Sequence, residues 1–165
     1  MEIERKYLIN ELPKGLEGYK KLEIEQGYLC RGPVVRIRKC NDDYILTYKM
    51  KQAGSGTDGN ALINEEIEMP LTEKAYLHLK KKKDNHIIHK TRYVIPLDGG
   101  LKAELDIFHK RLEGLKFVEV EFESVEAAAS FKPPNWFGQD VTEDKRYGNG
   151  HLSELDSYEE FFART

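Results

Sequence analysis

The 165-residue sequence sets charged residues two apart, with one dominant sign, in seven separate stretches. Glu2 and Glu4 precede Lys6; Arg36 pairs with Arg38, Lys49 with Lys51, Glu66 with Glu68, Lys90 with Arg92, Glu104 with Asp106, and Glu119 with Glu121. A spacing of two puts such residues on one face of a β-strand. Like charges at that spacing repel, so each pair calls for an oppositely charged neighbouring strand or for a ligand. Taken as ionised, the set holds seven bases and eight acids. A polyphosphate carrying a divalent metal wants both signs at once: guanidinium and ammonium groups contact phosphate oxygens, while paired carboxylates hold Mg²⁺ or Mn²⁺. Such a metal stabilises charge on a transferring phosphoryl group and positions or activates a water. These residue types suit phosphoryl chemistry better than acyl chemistry, for which no Ser-His-Asp or Cys-His arrangement has a local signature.

The elements that must carry these residues are mostly strands. Alternation of apolar and polar residues predicts strands over 2–9, 20–30, 34–40, 43–51, 62–69, 87–96, 101–108 and 116–123, separated by Gly, Pro, Asn or Asp. Thr72 is placed to cap a helix over TEKAYLHLKKKK, whose lysines complement the C-terminal end of the dipole. Further helix is expected near 124–131 and within 152–163, with the Pro-rich turn KPPNWFG between them. Opposite the charged faces the strands carry Ile3, Val35, Ile37, Tyr48, Met50, Ile67, Thr91, Tyr93, Leu105, Ile107, Val118, Val120 and Phe122. Two architectures accommodate this: a sheet or sandwich with wet charged faces, or a closed barrel with the charges inside and the apolar faces outside under helices. Solvated faces ordinarily mix in Thr, Ser and Gln, whereas these positions repeat charge in same-sign pairs, which favours the barrel.

Other features bound the reading. With 26 basic and 29 acidic residues the net charge is only −3, so nothing in the composition argues for nucleic acid or a membrane surface. Cys30 and Cys40 have no metal or redox spacing, the N-terminus runs straight into charged sequence, and no segment reaches the length of a membrane span. One domain over 1–165 and a cytoplasmic location are expected. Gly54, Gly56 and Gly59 match the G-x-G-x-x-G spacing, but a strand rather than a helix follows, so they read as a hairpin loop. His86-x-x-His89 reads as surface, Lys80–Lys83 as a solvated helix end, and Trp136-Phe137 as a plug on one side of the core.

The opening EIERK resembles the ExExK signature of the CYTH superfamily, the triphosphate tunnel metalloenzymes. The likeness continues in order through QGYL at 26–29, RIR at 36–38, LTYK at 46–49, KTRY at 90–93, AELDIF at 103–108, VEVEF at 118–122 and DVTEDKRYGN at 140–149. It implies an α+β, mainly antiparallel chain: an eight-stranded closed tunnel, open at both ends, with a charged interior and a few flanking helices. By the same resemblance Glu2, Glu4, Glu119 and Glu121 bind metal, and Lys6, Arg36, Arg38, Lys49, Lys90 and Arg92 bind the triphosphate. Lys51, in phase with Lys49, joins the substrate-binding candidates, as does Arg146, where TEDKRY offers either Lys145 and Arg146 to the substrate or a helix cap. Lys6 and Tyr28 are the catalytic candidates, and Glu66, Glu68, Glu104 and Asp106 hold a second metal or position basic side chains. Members often carry Arg ahead of the fifth-strand acids, whereas Ile63 and Asn64 stand there in this chain.

The activity implied is hydrolysis of triphosphate, inorganic triphosphate above all, with Mg²⁺ or Mn²⁺ as cofactor and a small anionic substrate as the partner. Adenylate cyclase and thiamine or nucleoside triphosphatase chemistry are alternatives within the superfamily. A polyphosphate or nucleotide sensor that binds without turnover is an alternative outside enzymes, although a pure anion binder has no use for Glu2, Glu4, Glu119 and Glu121. The oligomeric state is left open, a homodimer being one option.

Overall fold

In the computed structural model, residues 2–51 and 62–163 are described; the glycine-rich stretch with Gly54, Gly56 and Gly59 lies outside them. Eight long strands form first: β1 (Glu2–Ile9), β2 (Lys20–Arg31), β3 (Val34–Cys40), β4 (Asp43–Lys51), β5 (Leu62–Pro70), β6 (Asp84–Pro96), β7 (Lys102–Phe108) and β8 (Lys116–Phe122). They agree with the alternation in the sequence, except that β6 begins three residues earlier than expected. Every neighbour is antiparallel, in the order β5-β4-β3-β2-β6-β7-β8-β1. The sheet closes where Glu2, Ile3 and Glu4 pair with Asn64, Ile63 and Leu62. Closure removes the sheet edges and creates an inside.

A ninth short strand, β9 (Phe137–Asp140), pairs with the outer half of β1. Four residues, FGQD, are too few to show alternation, so the sequence predicts only a turn there. Helix α1 (Glu73–Lys80) is capped by Thr72 Oγ1, which accepts from Ala75 N at 3.1 Å. Helix α2 (Val125–Ser130) is capped in the same way by Ser124. A short helix that the sequence does not predict, α3 (Asn149–Leu152), comes next, and the helix expected within 152–163 is α4 (Tyr158–Ala163).

The outer apolar faces are covered over most of the barrel. Ile3, Leu105, Val118, Val120 and Phe122 are buried under α2 and β9, where Phe137 packs on Tyr7 and Phe131, and Trp136 packs on Phe137. Ile37 is fully buried and Tyr76 of α1 stacks against Tyr44. The β4–β5 wall departs from this pattern: Met50, Ile67 and Met69 stay about half exposed, at 49%, 56% and 49%.

At one end the interior is apolar. Ile88, Phe108 and Phe117, in phase with the inward charges, pack with Val141, Tyr147, Leu152 and Leu155 of the C-terminal segment in one buried cluster. The charged lining of the expected tunnel stops at this cluster. No helix among the described residues is long and apolar enough to cross a membrane.

Candidate active site

Because residues two apart share a face, closure brings charged residues from all seven stretches into one lining. The cavity encloses about 1200 Å³. From the acids predicted for the site, Glu2, Glu4, Glu66, Glu68, Glu104, Glu119 and Glu121 face it. From the bases, Lys6, Arg36, Arg38, Lys49, Lys90 and Arg92 face it, with Tyr28 of β2. The Lys51 side chain lies outside the described residues.

Two predicted residues are elsewhere. Asp106 is completely buried behind the lining, where it accepts from Lys90 Nζ at 2.8 Å and from Arg92 Nε and Nη2 at 2.7 and 2.9 Å. It therefore positions bases rather than facing a second metal. Arg146 turns away from the cavity: its guanidinium pairs with Asp144 at 2.7 Å and lies over the rings of Tyr147 and Phe161. Successive residues of a 3₁₀ turn point in different directions, so Lys145, beside it, lines the cavity instead. Gln26 and Asn64, absent from the charge pattern, also line it. Their parity with Tyr28 and Glu66 was the available signal, obscured because neither carries charge.

The acids are crowded. Strand register sets Glu4 opposite Glu121 and Lys6 opposite Glu119. Burial, reinforced by the Glu119 carboxylate, pushes the Glu4 carboxyl well above the ordinary range. Burial and a hydrogen bond with Glu66 raise Glu2. Burial raises Glu121 as well, with Glu2 and Glu104 adding to it. Burial also works against the charge on Glu119, but Lys6, Arg92 and Lys90 outweigh it and hold this carboxylate far below its usual value. Lys49 sits among the acids, 2.5 Å from Glu2 Oε1 and 3.9 Å from Glu4 Oε1.

The opposite wall has too few acceptors. Buried Arg36 Nε and Arg38 Nε have no hydrogen-bond partner, nor does the buried Gln26 Nε2. Burial lowers Arg38, and Arg36 and Arg92 beside it add to that effect; its own partner, Glu68, is 3.4 Å away. Burial depresses Lys90 to about 8 despite Asp106. Lys6 Nζ donates to Tyr147 O at 2.8 Å and lies 4.5 Å from the centre of the Phe117 ring, which ties this base to the C-terminal segment.

The donor set suits a hard divalent cation. Glutamate oxygens are the ligands Mg²⁺ and Mn²⁺ take, and the raised acids mark like charges that such a cation would relieve. Glu66 Oε2 is buried without a hydrogen-bond partner. Among the described residues no three His, Cys, Asp or Glu side chains are already arranged as a metal cage. A cation held by one or two carboxylates, with water and phosphate oxygens completing its shell, needs no such cage.

A closed antiparallel barrel whose interior sets paired acids against a wall of unsatisfied donors defines the class of triphosphate tunnel enzymes, the CYTH type. The sequence is 36% identical over 155 residues to an inorganic triphosphatase of Nitrosomonas europaea, covering 92% of this chain and 96% of that protein. It is 33% identical over 157 residues to an inorganic triphosphatase of Acetivibrio thermocellus, covering 92% of each. The crystal structure of the inorganic triphosphatase NE1496 matches with a TM-score of 0.68 at 34% identity, over 95% of this chain and 97% of that one. No family model matches the chain. The chain belongs to the family of these inorganic triphosphatases.

Proposed function

We propose that the protein hydrolyses inorganic triphosphate to pyrophosphate and phosphate, with Mg²⁺ or Mn²⁺. One observation carries the reading: a single cavity holds buried cationic donors without acceptors and buried acids in need of a cation, and a metal–triphosphate complex supplies both deficits. Membership of the family implies dependence on a divalent metal.

Arg36, Arg38, Lys90 and Arg92 take the phosphate oxygens, their guanidinium groups by forked hydrogen bonds. Asp106 holds Lys90 and Arg92 in place before substrate arrives, which lowers the reorganisation needed at the reaction. Glu2, Glu4, Glu119 and Glu121 would hold the metal, which when bound neutralises phosphate charge and orients the attacking water. Lys6 and Tyr28, on facing walls, hold hydrogen bonds to the phosphoryl group as charge develops on it. Water adds at phosphorus, the bridging P–O bond breaks, and pyrophosphate leaves with those electrons while the water's proton passes to the medium.

The test is phosphate release from triphosphate, pyrophosphate, ATP and thiamine triphosphate, with Mg²⁺ and Mn²⁺ compared and cyclic AMP assayed alongside. Rapid release from triphosphate that stops in excess chelator is the expected result. Tight binding without cleavage under any metal would make the protein a sensor, and cyclic AMP formation would make it a cyclase.

A further inference from the structure

Gln26 is 1% exposed and lines the cavity, and its buried Nε2 has no acceptor. Its neighbours across the sheet explain why. On β3 it is opposite Arg38, whose side chain offers only donors, and on β6 it is opposite Ile88, which offers nothing polar. A buried N–H left in this state is costly, and native interiors seldom tolerate one without a use. With Arg36 Nε and Arg38 Nε it makes three acceptor-less donors on two adjacent strands. One anion with several oxygens satisfies all three.

We propose that Gln26 is a direct substrate-binding residue whose carboxamide N–H donates to a phosphoryl oxygen of triphosphate, beside Arg38; this rests on the triphosphatase reading above. A neutral donor differs from its charged neighbours. It adds a directional hydrogen bond to an ionised acceptor without adding long-range attraction, so its contribution is little affected by salt, whereas that of the exposed end of an arginine is screened. It also leaves the charge balance of the cavity unaltered, which suits a site that already holds several bases close together.

The test compares wild type with Gln26→Leu, Gln26→Glu and Arg38→Gln. Tripolyphosphate is titrated into each over a series of salt concentrations, in excess chelator and again with Mg²⁺, and melting temperatures are taken alongside. Gln26→Leu should weaken binding about tenfold to a hundredfold at every salt concentration, giving a salt dependence parallel to wild type. Arg38→Gln should flatten that dependence. Gln26→Glu keeps the shape but presents only acceptors, so it should bind worse than Gln26→Leu and guards against a leucine variant that fails to fold. Wild-type affinity in Gln26→Leu overturns the proposal. So does wild-type affinity in Gln26→Glu, which would mean that the carbonyl end of the amide does the work by holding Arg38. A wild-type protein that neither binds nor cleaves triphosphate overturns the triphosphatase reading itself, whereas normal cleavage by wild type and by both Gln26 variants removes Gln26 alone.

Discussion

Glu4 and Glu119, diagonal neighbours on β1 and β8 that share a hydrogen bond, have opposite protonation preferences, and the consequence can be measured. The Glu4 carboxyl is raised by burial and by Glu119, so its contribution to stability is present below the ordinary carboxylate range and is lost as pH rises through its elevated value. Glu119 is depressed, because Lys6, Arg92 and Lys90 overcome its burial; its contribution is present above the ordinary range and is lost on acidification. Of the two, Glu4 is therefore the one whose ionisation costs stability. In chelator at neutral pH, Glu4→Gln should melt at or above the wild-type temperature. It should also lose the rise in melting temperature that divalent cations give the wild type, and most of its turnover. A near wild-type rate in Glu4→Gln would rule out its place at the metal. Lys90, lowered to about 8 by burial, sets a second profile. Its positive charge is lost above that pH in the free protein, so kcat/KM for triphosphate should decline above about pH 8. Lys90→Arg should carry its own plateau to higher pH; an unchanged profile would place the limiting group elsewhere.

At the scale of elements, adjacent strands act as matched pairs. β6 supplies Lys90 and Arg92, and β7 supplies Glu104 and Asp106. The register sets Arg92 opposite Asp106, and Arg92 Nη1 also reaches Glu104 at 3.0 Å. Asp106 binds both bases with no exposure to water, so Asp106→Ala leaves buried Lys90 without its ion-pair partner and Arg92 with Glu104 and the more distant Glu119 alone. A loss of about 3–5 kcal/mol in stability is expected, read from urea unfolding, together with a fall in kcat/KM as both bases lose their orientation. A stability loss with unchanged kinetics would show that the substrate itself can position Lys90 and Arg92. The sequence could show that these four charges share a face, since strand parity is local. It could not show that Asp106 lies behind Lys90 and Arg92 while Glu104 faces the cavity, because that depth depends on the curvature of the closed sheet. The same limit applies to Lys145 and Arg146, neighbours on a short turn of which only the first reaches the cavity.

For the molecule as a whole, bases distributed over β1, β3, β4 and β6 address a long anion better than a short one. Triphosphate should therefore outcompete pyrophosphate, and its apparent affinity should fall with added salt as the field of the cavity is screened. Arg38→Ala should cost about 1.5–3 kcal/mol for each charge-assisted hydrogen bond lost. A change confined to KM would mean equal binding of ground and transition states, and a fall in kcat would put Arg38 on the phosphoryl group being transferred. Equal affinity for pyrophosphate and triphosphate would show that only part of the lining engages substrate.

The phase of every strand is readable from the residues alone: which residues share a face, the sign each face carries, and hence that an interior made from those faces would be polar and nearly neutral. That much follows from the two-residue repeat of extended backbone, which needs no knowledge of neighbours. The ordered motifs from EIERK to DVTEDKRYGN carried the family as well. Which acid meets which base depends on the closed fold. Pairing residues 2–4 with 62–64 closes the sheet and brings Glu2 to Glu66 and Lys49, both distant along the chain. The fold also decides where the charged lining ends, since Ile88, Phe108 and Phe117 have the same phase as the charges yet meet the C-terminal segment instead of a ligand. Burial, proton sharing and the unsatisfied donors of Gln26, Arg36 and Arg38 arise from closure, because each depends on removing water from side chains that lie far apart along the chain.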